Sequence, residues 1–155
     1  GFNLAGMWSA YSVCYNQELA EQLAKKSNYL HANAGCVLAI ETTIAAYEKG
    51  DAWLDECIAY TSANMDYITD FLAEHLPQVK FRKPDATYLL WIDFEEMGIP
   101  HDEFLERLYS KAGVLCNNGE DFLTGGTYHV RLNPTTSRTV IEKAMQALAK
   151  EFAEK

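Results

Sequence analysis

One stripe of apolar side chains constrains this chain more than any other feature. Leu54, Ile58, Thr61, Met65, Ile68, Leu72 and Leu76 recur at steps of three and four, the period of one face of an α-helix. Pro77 follows, where such a helix has to stop. The spacing predicts a helix over about residues 52–76, roughly 37 Å long at helical rise. A helix of that length often bridges two domains; the alternative is a helix packed along its whole length in a bundle.

Ahead of the stripe, residues 10–15 are short, β-prone and bounded by Asn16, which predicts a strand. Residues 17–26 predict an amphipathic helix carrying Leu19 and Leu23, and residues 32–48 a second one with Val37, Ile40, Ile44 and Ala45 inward. Gly50 is its expected stop and Asp51 the expected cap of the long helix. Beyond Pro77 the pattern changes. Residues 79–82 and 87–94 read as strands, the second apolar enough to predict burial on both faces. A helix over residues 101–110 turns Phe104, Leu105 and Leu108 inward. Residues 113–116 predict a short strand entering an Asn117-Asn118-Gly119 turn, and residues 127–132 another strand. Thr136 or Ser137 then caps a closing helix with Ile141, Met145, Leu148 and Phe152 on its inner face.

Strand, strand, helix, strand, strand, helix predicts an α+β fold, a small and mostly antiparallel sheet with helices on one face. The long helix is the boundary. Residues 1–50 are expected to form one region, 51–76 the connecting helix and 77–155 a small C-terminal domain. The opening Gly1-Phe2-Asn3-Leu4-Ala5-Gly6-Met7-Trp8 is apolar where domain starts are usually polar and frayed. It looks like a cut through something larger, and its exposed Phe2, Leu4 and Trp8 predict association into a dimer or higher oligomer.

A net charge of −9 argues against nucleic acid or an anionic membrane as partner, since both require clustered Lys and Arg. It leaves room for a local basic pocket. Cys14, Cys36, Cys57 and Cys116 lie far apart, with no CxxC pair and no His at ligand spacing, so neither a zinc site nor a disulfide framework is expected. Cys36 and Cys57 are expected on apolar helix faces. A reducing, cytoplasmic compartment is the expectation. No apolar run is long enough to span a bilayer. His31, His75, His101 and His129 are scattered and predict no metal or acid–base centre. His75 suits the C-terminal end of the long helix, where a cation complements the dipole.

The general motifs of phosphate binding, dinucleotide binding and hydrolysis are absent. Arg131 stands out instead. Between Val130 and Leu132 on a short predicted strand, it has to emerge into solvent or a cleft, and its planar fork can clamp a carboxylate through two bonds. The plain alternative is a surface arginine paired with an acid of this acidic chain. Gly119, Gly125 and Gly126 flank a loop before that strand. It could close over a ligand, or simply need left-handed backbone.

Several segments in order resemble one family. Gly1-Phe2-Asn3-Leu4-Ala5-Gly6 is similar to the stretch that follows the cofactor-bearing lysine in class I/II aminotransferases, fold-type I pyridoxal-phosphate (PLP) enzymes. The nearest likeness is to the MalY/PatB-type cystathionine β-lyase-like C–S lyases. Pro84-Asp85-Ala86-Thr87-Tyr88-Leu89-Leu90-Trp91-Ile92-Asp93 resembles a strand of the family's small domain, and Ala46-Tyr47-Glu48-Lys49-Gly50-Asp51-Ala52-Trp53-Leu54 matches the same branch. His129-Val130-Arg131-Leu132-Asn133 resembles the strand whose arginine binds the substrate α-carboxylate.

The resemblance implies the C-terminal small domain of such an enzyme with a remnant of its α/β large domain. It implies PLP as cofactor, an amino acid as substrate, Arg131 as its carboxylate clamp and a homodimer completed by the large domain. It also implies that the Schiff-base lysine precedes Gly1, so that residues 1–155 contain no catalytic residue, bind no PLP covalently and are inactive alone. Lys25, Lys26 and Lys111 lie outside the motif. C–S β-elimination and transamination both remain open, as does a non-enzymatic partner-binding or regulatory module.

Overall fold

The computed structural model describes residues 1–32, 35–122 and 124–153. They form two compact units, Gly1–Glu56 and Cys57–Lys155.

The first unit begins with a single 3-10 turn, Ala5–Met7. Residues 10–15, expected as a strand, are irregular. Among the described residues no neighbouring strand offers them a ladder, and β propensity without a partner does not make a strand. Asn16 is instead the N-cap of α1 (Gln17–Tyr29), its side-chain oxygen accepting the Leu19 N–H at 2.9 Å. α2 spans Val37–Lys49; of the helix expected over residues 32–48, residues 33 and 34 lie outside the described residues, and Gly35 and Cys36 precede the helix. Cys36 is its N-cap and is exposed, not set on an apolar face.

Phe2 packs edge-on to Tyr47 and stacks on Trp53, with ring centroids 5.7 and 6.3 Å apart. Gly50 ends α2 in ordinary right-handed backbone. Its missing side chain serves space, because a Cβ there would strike the Ala46 carbonyl and the Phe2 ring. Ala39 is the one buried residue among those described in this unit. Val37, Ile40, Ile44 and Ala45, expected inward, are exposed, because nothing within the unit covers that face.

α3 runs Asp51–His75, within a residue of the span its stripe predicts; Asp51 is its first residue. In the second unit its inner face carries Thr61, Met65, Ile68 and Leu72, all buried, with Leu76 just beyond. At its C-terminal end His75 Nδ1 lies 3.1 Å from the Phe71 carbonyl, and the ring stacks on Phe71. The apolar stripe loses its cover toward the start, where Ile58 is exposed.

The sheet of the second unit has four strands in the order β1-β2-β4-β3, every pair antiparallel. β1 is Lys80–Arg82, β2 Leu90–Asp93, β3 Asn117–Asn118 and β4 His129–Leu132. β2 is shorter than its apolar run suggests, because Thr87 takes a left-handed conformation (φ 72°) and breaks the extension. It is also buried on one face only. Leu90 and Ile92 point into the core, while Trp91 and Asp93 are half-buried on the other side. Residues 113–116, expected as a strand, diverge from β4; Gly113 has φ 67° and Leu115 is exposed. Pairing resumes only at Asn117 and Asn118, where a turn was expected.

α4 (His101–Glu106) runs on into a π-helical turn, Arg107–Lys111, and α5 spans Arg138–Phe152. Ser137 takes the N-cap place of α5 without a side-chain cap bond, and the Tyr60 hydroxyl accepts the Arg138 N–H instead, at 2.9 Å. Met65, Ile68 and Leu72 of α3, Phe104 of α4, Leu108 of the π turn, and Ile141, Met145, Leu148 and Phe152 of α5 join Leu90, Ile92, Val130 and Leu132 in one core. The architecture of the second unit is therefore α+β, with α3, α4 and α5 packed on one face of a small antiparallel sheet. No helix of the described residues is long and apolar enough to cross a membrane.

Candidate carboxylate-binding site

Strand alternation decides where Arg131 points. Val130 and Leu132 are 3 % and 8 % exposed in the core, so Arg131 between them lies on the open face. Its neighbours across the ladder are Trp91 of β2 and Asn117 of β3. Arg131 Nη2 donates to Asn117 Oδ1 at 3.1 Å. The guanidinium carbon sits 4.3 Å from the centre of the Phe122 ring, a cation–π contact that uses up no donors. Trp91 meets Phe122 edge-on at 5.7 Å, and His129 stacks on Trp91 at 5.3 Å. An aromatic wall thus backs the arginine.

The donors left over are informative. Arg131 Nε is buried and has no hydrogen-bond partner, a state that is costly for a charged group unless a ligand completes it. Among the described residues no carboxylate lies at ion-pair distance from Arg131, whereas Arg82 pairs with Asp85 and Arg107 with Glu103 and Glu151. The alternative of a surface ion pair is absent. Arg131 borders a hollow of about 720 Å³, also lined by Asn117, Asn133, Thr136, Leu115 and Val140, with no Asp or Glu in its lining. An open hollow with a cationic fork, side-chain amides and no competing acid suits a carboxylate.

The turn between β3 and β4 is shaped by contact more than by dihedral angle. Gly125 is left-handed (φ 86°), but Gly119 and Gly126 are present because their backbones touch, and a Cβ on either would collide with the other. Cys116 also lines the hollow, and burial pushes its thiol up to about 12, so it is an inert apolar group at neutral pH. Of the residues around the arginine, Asn117 and Phe122 were not legible as site residues. Their approach depends on cross-strand register and on a turn with no sequence signature.

The sequence and the fold together define a class. The chain belongs to the aminotransferase class I and II family, whose model matches residues 1–148. Among individual relatives, cystathionine β-lyase PatB of Bacillus subtilis is 40 % identical over 150 residues, covering 95 % of this chain and 38 % of PatB. Cystalysin of Treponema denticola, whose crystal structure contains pyridoxal 5'-phosphate, superposes with a TM-score of 0.86 at 28 % identity, over 97 % of this chain and 38 % of that one. The PLP-bound C–S lyase of Staphylococcus hominis gives 0.82 at 32 % identity, over 99 % and 39 %. The chain spans about two-fifths of the length of these relatives.

Proposed function

We propose that this chain supplies the substrate-carboxylate clamp of a PLP-dependent enzyme that cleaves C–S bonds of amino acids by β-elimination. The observation that carries the reading is Arg131: set over the Phe122 ring, free of any carboxylate among the described residues, with a buried Nε awaiting an acceptor. The names of the relatives, cystathionine β-lyase and C–S lyase, favour elimination over transamination.

The hollow fits a carboxylate but does not fit PLP by itself, since its lining offers no acid to pair with a pyridinium nitrogen. Lys25 and Lys26 lie on α1 and Lys111 closes the π turn, all outside that lining; Lys143 of α5 does line it, but stands outside the family motif. In this reading the Schiff-base lysine and most cofactor contacts come from the part of the enzyme ahead of Gly1. Residues 1–50 belong to its large domain, residues 51–76 connect, and residues 77–155 form its small domain. PLP supplies the electron sink for the elimination when bound. Arg131 holds the α-carboxylate through paired N–H donors and so fixes the orientation of the Cα–H bond, while Phe122 packs against the guanidinium. Exposed Trp8, Tyr11 and Tyr15 on the first unit support a large-domain and homodimer partner for it. The free thiols of Cys14, Cys36, Cys57 and Cys116 suit the reducing cytoplasm.

The test is pyruvate release from cystathionine or cystine by the complete holoenzyme, with no 2-oxo acid added. Turnover only when a 2-oxo acid is supplied would establish transamination instead. No turnover of any amino acid would leave a binding module, which nothing in the relatives favours.

A further inference from the structure

His101 is the one buried histidine among the described residues, 8 % exposed, and the clamp makes no direct use of it. It opens α4, its ring parallel to Phe94 at 5.7 Å and edge-on to Tyr128 at 6.1 Å. Both ring nitrogens are engaged. Nε2 lies 2.9 Å from Asn118 Oδ1, an atom that only accepts, so Nε2 carries the proton. The Tyr128 backbone N–H donates to Nδ1 at 3.1 Å, so Nδ1 does not. The two bonds select a single neutral tautomer. Asn118 Oδ1 also accepts the Glu120 N–H at 3.1 Å, which fixes the amide's orientation.

The imidazole thereby fastens the two ends of the turn that carries Phe122. Asn118 sits beside Asn117, the acceptor for Arg131 Nη2. Tyr128 leads into β4 with φ 63°, a conformation that a bulky residue keeps only where its surroundings impose it. We propose that His101 is a positioning residue for the carboxylate clamp: through Asn118 and Tyr128 it holds Asn117 and Phe122 against the Arg131 guanidinium. The role rests on Arg131 as the clamp. A side chain that has to meet a carboxylate within a fraction of an ångström needs such support, because a loosened shell costs binding.

The test compares two probes on the complete PLP-loaded enzyme by equilibrium binding: alanine, which has the carboxylate, and ethylamine, which lacks it. His101→Phe keeps the ring packing but has neither donor nor acceptor, and His101→Gln restores one of each. His101→Phe is expected to raise the Kd of alanine roughly 10-fold while leaving that of ethylamine within about twofold, with His101→Gln recovering most of the loss. Arg131→Lys shows the same selectivity for alanine. Selective weakening by Arg131→Lys without it in His101→Phe, or equal weakening of both probes by His101→Phe, removes the positioning role. If Arg131→Lys binds both probes as the wild type does, the clamp itself is wrong and the role of His101 goes with it. A readout that needs no variant is the ¹⁵N spectrum of the His101 ring. The proton belongs on Nε2, and a proton found on Nδ1 overturns the inference even if every variant fails to fold.

Discussion

At the scale of single residues, the guanidinium and the thiol in one hollow make opposite predictions. Arg131→Lys keeps the charge but loses the planar fork. In the holoenzyme kcat/KM should fall by roughly 30- to 1000-fold, on the order of 2–4 kcal/mol for a charge-assisted bidentate pair. Because the contact aligns Cα as well as binding it, kcat should fall too, while PLP content stays near wild type. Steady-state kinetics with cofactor absorbance checks both halves. Cys116, with its thiol pushed up to about 12 by burial, should resist iodoacetamide at neutral pH while exposed Cys36 is labelled. The sign for stability follows: the folded state keeps this proton longer than the unfolded one. Its contribution is intact below the ordinary thiol value and is lost as pH rises toward 12. The direction of Arg131 was legible in the sequence because two aliphatic neighbours force it outward. Its aromatic partner was not, because Phe122 reaches it from a turn whose path depends on packed glycine backbones.

At the scale of elements, legibility followed the number of repeats a pattern contains. α3 and α5 repeat their apolar step over several turns, and both lie close to their expected spans. Strands of two to four residues carry no such redundancy, and pairing partners rather than propensity fixed where they begin and end. That is why residues 10–15 and 113–116 are irregular and Asn117–Asn118 is paired. One polar member of the α3 inner face was also missed. Asn64, wholly buried, donates from Nδ2 to the carbonyls of Pro134 and Thr136, each at 3.0 Å, and so ties the helix to the segment between β4 and α5. Asn64→Ala strands both carbonyls and should cost on the order of 2–4 kcal/mol in denaturant unfolding. Asn64→Asp should be no better, since a carboxylate cannot donate to them.

At the scale of the whole molecule, the two units differ in how much they bury. The second has a continuous core of aliphatic and aromatic side chains; the first buries Ala39 and exposes Trp8, Tyr11, Tyr15, Leu19 and Val37. Hydrogen exchange on the chain should show slow amides in β2, β4, α5 and the C-terminal half of α3, and fast ones throughout α1. On the proposed reading α1 and α2 should gain protection in the complete enzyme, where the large domain would cover them. Protection of α1 in the isolated chain equal to that of α5 would contradict the need for such a cover.

The unlike faces of the sheet have a consequence for which changes of length the chain can bear. Along β4 odd and even positions belong to different worlds, the one aromatic and charged, the other oily. Deleting one residue within His129–Leu132 exchanges them: the guanidinium is driven among Leu90 and Met145, and two aliphatic chains meet water. A deletion of two preserves parity but shifts Arg131 away from Asn117 and Trp91. The turn that follows β3 is under no such parity rule, provided Gly119 and Gly126 still touch and Phe122 still reaches Arg131. Insertions and losses among relatives should therefore accumulate on either side of this strand and spare it.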